Sequence, residues 1–234
     1  MPNPLPSAEI QAIAFAQAQA DAIMTMTNDM LSLNDTLNMD EMFYAMSQID
    51  PVSAMASAGM DVGMNNLTDG YRMILAETPF FAGLDETTLS AMSTISQTNV
   101  MQYVSSAGGH AIGEVMSGII GGKSSTQIRN SIMNMMGTTG NPISRKQAEV
   151  FTHTAQRTFS RQVIRVQSEQ MSPDTKHVYV GVIDDRTRDV CLAMAGSGEL
   201  TLQQIDERYA GSFIDGGGFN CRHNWQPVTS SSRK

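Results

Sequence analysis

Residues 177–187 read HVYVGVIDDRT, and this stretch decides the fold class because it is the first clear strand signal in the chain. β-Branched and aromatic residues dominate its first seven positions, as is typical of a strand. The acid-rich turn Asp184-Asp185 then ends the strand. A short helix, a glycine triplet and a closing segment with the lone tryptophan follow it (201–209, 216–218 and 219–227). The sequence therefore predicts a small α+β module over residues 171–234.

The residues before this module have helical patterns. In the central region, residues 85–170, apolar side chains recur at three- and four-residue steps after Ser144, which is the pattern of a buried helical stripe. A second helix is expected from Asp85 to about Ser106, and the glycine-rich stretch 108–122 is expected to end in a turn before the next helix. We therefore expect an α+β protein whose N-terminal and central regions are mostly helical.

The N-terminal region, residues 1–84, is acidic and rich in methionine. The first hundred residues contain twelve acids and one base, a net charge of −11, whereas the remainder has a net charge of +3. Twelve of the nineteen methionines also lie there. Methionine can fill an ordinary helical core or form a docking surface that repacks against a partner, and both interpretations stay open. Helices are expected over 7–33 and 40–47, with turns or a flexible hinge over 51–70.

The composition limits the class of protein. Hydrophobic residues make up 41% of the 234 residues, so the chain can bury a core. No run of 18 apolar residues is present, and the first residues lack the pattern of a secretion signal. We therefore expect a soluble protein made in a reducing cytoplasm, without membrane contact.

Dense polar clusters flank the two cysteines of the chain, Cys191 and Cys221. We interpret them as a clasp in which Arg186 or Arg222 holds an acidic side chain, with the cysteines as buried apolar groups or as one bridge. An alternative is a metal-dependent hydrolase or nuclease site built from two acids, a cysteine and a histidine (Asp184, Asp185, Cys191 and His223). We expect the clasp, and no catalysis.

Three arginines recur at four-residue steps on the predicted central helix, at Arg157, Arg161 and Arg165. Such a row is typical of a solvated helix face. It could also contact an acidic protein surface or the phosphate backbone of DNA, although the small positive charge of this half of the chain opposes strong DNA binding.

The order of these blocks resembles a known family. The helix that begins QAEVFTHTAQ at residue 147, the strand, the Asp-x-Arg-Thr turn with its cysteine, a glycine-containing turn and Asn-Cys-Arg near the end are similar to the phage Mu F-like minor head proteins, also called phage head morphogenesis proteins. The similarity covers roughly residues 85–227. Carried over by position, the signature residues are Asp184, Arg186, Thr187, Cys191, Asn220, Cys221 and Arg222. Asp185 and His223 lie beside them and belong to the predicted clasp.

The resemblance implies a structural component of a bacteriophage virion, associated with the portal protein or the inner capsid. The protein would be made in the host cytoplasm and would lie inside the head near the portal. It would act in head morphogenesis or in DNA packaging or ejection, with at most weak contact with packaged DNA. A DNA-binding packaging factor is the main alternative.

Many members of that family have four cysteines in an arrangement like a zinc knuckle. Here two of the corresponding positions are Arg188 and His223, so Cys191, Cys221 and His223 could supply three zinc ligands and Arg188 cannot supply the fourth. We therefore expect no cofactor, with a structural zinc ion as the alternative.

Overall fold

The computed structural model describes residues 6–34, 37–77 and 85–228. It is mostly helical with a small antiparallel sheet near the C-terminus, which confirms the predicted α+β class. None of the helices in the described residues is long and apolar enough to cross a membrane. In chain order the helices are α1 (Pro6–Asn34), α2 (Met39–Ser47), α3 (Pro51–Met55), α4 (Asp61–Glu77), α5 (Glu86–Ile120), α6 (Ser125–Gly137), α7 (Arg145–Glu169), α8 (Asp189–Ala195), α9 (Leu202–Arg208) and α10 (Ser212–Asp215). The strands are β1 (Lys176–Val180), β2 (Leu200–Thr201) and β3 (Asn224–Pro227).

Strand β1 is the middle strand of the sheet, whose order is β2-β1-β3 with antiparallel pairing throughout. Tyr179 on β1 lies opposite Trp225 on β3, and both side chains are buried. The strand ends three residues earlier than the sequence predicts because Gly181 lies against the chain that enters β3. A Cβ atom on Gly181 would lie 2.4 Å from the His223 ring and 2.9 Å from the Arg222 carbonyl oxygen.

The sheet and its small helices share one hydrophobic core with α7. Trp225 is fully buried, and its indole N–H donates to the Ser212 hydroxyl over 3.2 Å. Burial of each large apolar side chain here contributes about 1.5–3 kcal/mol. The core residues are Ile164, Tyr179, Cys191, Met194, Leu200, Ile205, Phe213, Cys221 and Trp225.

The stretch 51–70 is helical, so the predicted turns or flexible hinge are wrong apart from one kink. The Asp50 side chain accepts from the Ser53 amide at 2.8 Å and caps α3, and Pro51 occupies the first turn. A π-helical segment, Ala56–Met60, then leads into α4. Gly59 adopts φ 101° there, a conformation that glycine reaches without steric strain. One glycine is therefore enough to produce the break that the composition suggested.

Helix α5 continues well past the predicted end near Ser106, through the glycine-rich stretch to Ile120. Its glycines allow close packing: a Cβ atom on Gly118 would lie 2.6 Å from Ile128 Cγ1. The expected turn follows at Gly122, which has φ 68°. Ser124 then caps α6 by accepting from the Gln127 amide. The predicted turn is therefore present, but the predicted helix end near Ser106 is too early.

The described residues form two compact units. The helical unit comprises Glu9–Asp69 and Gln97–Thr152, and the sheet-containing unit comprises Met1–Ala8, Gly70–Ser96 and His153–Lys234 as far as they are described. The boundaries fall within long helices, because α4, α5 and α7 each contribute to both units. The units therefore differ from the regions 1–84, 85–170 and 171–234 expected from composition.

Most of the methionines that the structure places in the N-terminal region belong to the core. Six of them are at most 4% exposed: Met26, Met30, Met42, Met46, Met55 and Met60. This arrangement favours the ordinary-core interpretation for these six residues. These six residues do not form an adaptable methionine surface, since each is at most 4% exposed.

Candidate functional site

The turn after β1 is built around the Asp184 carboxylate. Its Oδ1 accepts from the Arg186 amide at 3.0 Å, and the Asp184 amide donates to the Thr187 hydroxyl over 2.9 Å. The guanidinium of Arg222 donates to both carboxylate oxygens, with Nη1 2.7 Å from Oδ2. The two signature blocks are thus joined by a bidentate ion pair, which is one of the pairings that the sequence suggested.

The same pair determines the electrostatics of the turn. Hydrogen bonding from Arg222 holds the pKa of the Asp184 carboxyl well below its usual range, and the Arg186 amide adds to this effect. The Asp184 hydrogen bond raises the pKa of Arg222 in return. Arg186 is 77% exposed with its Nη2 3.7 Å from Asp184, and Asp185 is exposed. Asp184 is therefore an ionised acceptor, and Arg222 binds both of its carboxylate oxygens.

We expect Asp184→Asn to lower the melting temperature at pH 7 and to flatten its pH dependence in acid. The folded-state pKa of Asp184 lies below its ordinary value of 3.8, so the pair stabilises the fold fully above that pH and progressively less as the pH falls. Thermal melts between pH 2 and pH 7 measure the effect. Asp185→Asn is the matched control, and equal slopes for Asp184→Asn and wild type would contradict the pair's role.

Arg161 lies inside the molecule, so the interpretation as an exposed face or a partner contact is wrong for this residue. Its side chain is 2% exposed. Its Nε donates to the His223 carbonyl at 3.0 Å, Nη2 to the Cys221 carbonyl at 2.6 Å, and Nη1 to the Ile214 carbonyl at 3.3 Å. Burial lowers the pKa of this guanidinium, while nearby groups, first among them Cys221, act in the opposite direction. Arg161 therefore ties α7 to the closing segment.

The other two arginines of the row also bind within the sheet-containing unit. Arg165 donates to both carboxylate oxygens of Asp206, at 2.7 and 2.9 Å, and to Glu169 at 2.7 Å. Arg157 donates to the Cys221 carbonyl over 3.3 Å. The row was predicted as a solvated face because four-residue spacing shows that side chains share a face but not what packs against it. Arg157 and Arg165 are half-buried, and both bind within this unit.

The two cysteines meet beneath this clasp. Cys191 and Cys221 are 2% and 3% exposed, and their Sγ atoms are 3.7 Å apart. The Tyr179 hydroxyl lies 3.4 Å from Cys221 Sγ, and His223 Nδ1 lies 3.8 Å from the same sulfur. Burial raises the pKa of the Cys191 thiol. Burial opposes ionisation of Cys221 as well, but hydrogen bonds from Tyr179 and from backbone amides outweigh it and lower its pKa to about 6.

The donor set fits a closed zinc site only in part. One ligand atom from each of Cys191, Cys221 and His223 lies within 4.8 Å of the others, and the sulfur separation suits two ligands of a tetrahedral ion with Zn–S bonds of about 2.3 Å. Arg188, however, donates to the Gly217 and Phe219 carbonyls at 3.1 and 2.7 Å. Among the described residues, Cys191, Cys221 and His223 therefore supply three ligand atoms, and Arg188 at the fourth family position supplies none.

Two glycines allow the chain to wrap closely around the thiols. A Cβ atom on Gly217 would lie 2.2 Å from Cys191 Sγ. A Cβ atom on Gly216 would lie 2.9 Å from Arg161 Cζ and 3.0 Å from Cys221 Sγ, and φ at Gly216 is +59°. Asn220 has φ 56°, a left-handed conformation in which asparagine is enriched. The glycine triplet was predicted only as a turn, whereas its main property is the space it leaves for sulfur.

Sequence reasoning missed three parts of this clasp, namely Tyr179, Arg161 and Arg188. Tyr179 was assigned to the strand alone, and Arg188 was considered only as a position that cannot bind zinc. No local signal marks Arg188, because the carbonyls that it binds are 29 and 31 residues away in the sequence. The same holds for Arg161, whose acceptors are carbonyls at least 53 residues away.

Comparison of the chain with protein-family models gives no match, and neither the curated proteins nor the solved structures include a significant match. The resemblance to phage head proteins therefore rests on the residue blocks alone.

Proposed function

We propose that this chain is a minor head protein of a tailed bacteriophage that docks on the portal protein or the inner capsid and acts in head morphogenesis or in DNA packaging or ejection. The observation that carries the proposal is the meeting of the two signature blocks. Asp184 from the first block binds Arg222 from the second, and Cys191 lies against Cys221. Residues that resemble the family in sequence are thus the residues that hold the sheet-containing unit together.

The helical unit supplies the docking surface in this proposal. Between residues 9 and 69 the chain has nine acids and neither lysine nor arginine. Asp21, Asp29 and Asp61 are exposed, and Ile10 and Ile13 on α1 are 64% and 52% exposed. An acidic surface with exposed apolar side chains fits a partner surface that is basic with apolar pockets. The protein would assemble in the host cytoplasm and lie inside the head near the portal.

Charge reversal on α1 tests this docking. Asp21→Lys/Asp29→Lys in the full chain is expected to weaken association with the portal protein of the same virus by about tenfold or more, because it replaces attraction by repulsion. The control, Asp174→Lys/Glu199→Lys, makes the same change in charge at exposed positions of the sheet-containing unit. Co-purification followed by light scattering gives affinity and stoichiometry.

Point variants are the appropriate tools, because deletion of residues 1–84 would remove core residues of the helical unit such as Phe15, Ile23 and Leu67. Equal binding by the α1 variant and its control would refute docking through this surface. Failure of the wild-type chain to bind either the portal protein or the capsid would refute the proposed function. Binding to DNA that weakens steeply with salt would instead support the packaging-factor alternative.

A further inference from the structure

We propose that Cys191 and Cys221 are an oxidisable pair that a hydroperoxide converts into a disulfide within the chain. They are the only cysteines present and lie 30 residues apart in sequence, yet their Sγ atoms are 3.7 Å apart. A disulfide bond is about 2.0 Å long, so the sulfurs need to approach by less than about 2 Å. Each thiol thus has its reaction partner already in van der Waals contact.

The positions of the two cysteines suit a covalent link. Cys191 lies on α8, and Cys221 lies just before β3. The two segments are already joined by Arg188, which reaches from the start of α8 to the Gly217 and Phe219 carbonyls. A bond between the sulfurs therefore adds to existing contacts and does not require the elements to separate.

The surrounding charges favour the first step of the oxidation. The Arg161 guanidinium and the Cys221 sulfur both border Gly216, and Arg188 binds the carbonyl of Gly217, the residue that covers Cys191. Nearby cations stabilise a thiolate, which is the form of sulfur that a hydroperoxide oxidises. Cys221, which lies beside Arg161, is therefore the sulfur that we expect to react first.

Formation of one disulfide bond consumes one molecule of hydroperoxide. Hydrogen peroxide transfers one oxygen to the sulfur of Cys221, which becomes a sulfenic acid as water leaves. The sulfur of Cys191 then attacks that sulfur, the S–S bond forms and the S–O bond breaks. The oxygen leaves as a second water with the remaining thiol proton. Two sulfurs are oxidised by one electron each, and the two peroxide oxygens are reduced.

Treatment of the purified full-length chain with a small excess of hydrogen peroxide tests the proposal. We expect both free thiols to disappear and the monomer to lose two hydrogens in mass. A peptide joining Cys191 to Cys221 should appear in a non-reducing digest. The melting temperature should rise by roughly 10 °C and return to its initial value with dithiothreitol, since a closed loop of this length restricts the unfolded chain.

The variants Cys191→Ser and Cys221→Ser are the controls, and neither should show the reversible rise in melting temperature. A parallel sample receives zinc chloride alone and is desalted before metal analysis. One zinc ion retained per chain, with the thiols protected from peroxide, would overturn the proposal in favour of a metal site. Stable sulfinic acids or disulfide-linked dimers in place of the internal bridge would overturn it as well. None of these readouts depends on docking to a head component.

Discussion

Arg161→Met is expected to lower the free energy of unfolding by about 3 kcal/mol, because it removes three hydrogen bonds from a buried charged group and leaves the Cys221 carbonyl with only its longer bond from Arg157. The acceptors of these three bonds belong to Ile214, Cys221 and His223, which lie on either side of the glycine triplet at residues 216–218. Methionine fills much of the same volume, so the loss reports hydrogen bonding and charge more than packing. The measurement is urea unfolding at pH 7, followed by circular dichroism and by the fluorescence of Trp225.

Two further variants separate the causes of that loss. Arg161→Lys keeps the charge but cannot present several donors in a plane, so we expect it to recover only part of the stability. Arg208→Met makes the same substitution at an exposed position of α9 and should change the free energy of unfolding by less than about 0.5 kcal/mol. If Arg161→Met were as stable as Arg208→Met, the buried guanidinium would have no structural role.

Gly217→Ala is expected to lower the free energy of unfolding by about 2–3 kcal/mol, because the added methyl group would overlap the sulfur of Cys191. The ideal Cβ position is 2.2 Å from that sulfur, while the next atoms, in Val190 and Cys221, are 3.4 and 3.5 Å away. Both thiols are buried, so neither can move into solvent. Urea unfolding again gives the loss.

A double-mutant cycle shows whether the overlap is the cause. Cys191→Ala removes the only atom within 3 Å of the added methyl group. The loss of free energy of unfolding in the double variant Gly217→Ala/Cys191→Ala should therefore be clearly smaller than the sum of the losses in the two single variants. Gly113→Ala on α5 is the control, since a Cβ atom there meets nothing within 4 Å and alanine favours a helix. Additive losses in the cycle would contradict close packing of Gly217 on Cys191.

Much of the clasp could be predicted from local sequence. Asp184 and Thr187 lie three residues apart in a turn, so their mutual hydrogen bonds follow from short-range geometry. The pairing of Asp184 with Arg222 was one of several possible combinations, and only the antiparallel register of β1 and β3 selects it. Val180 lies opposite Asn224 in that register, which brings residues 184 and 222 to the same end of the sheet.

The burial of Arg161, the middle residue of the arginine row, could not be predicted in the same way. Three arginines at four-residue steps have the periodicity of a solvated face. The carbonyl groups that Arg161 binds carry no side-chain signal, so the sequence contains nothing that distinguishes a buried guanidinium from an exposed one. Its burial depends on the closing segment passing over α7, which is a long-range contact.

By itself, the amino-acid sequence determined the α+β class, the main helices and the strand at 177–180, because periodicity and turn residues act over a few positions. It also placed each of the two cysteines beside a polar block. Only the tertiary structure decided that long helices contribute to two compact units, that Arg161 points inward and that the two thiols are in contact. These features depend on groups that are distant in sequence, and their energies come from burial and from backbone acceptors that no residue type encodes.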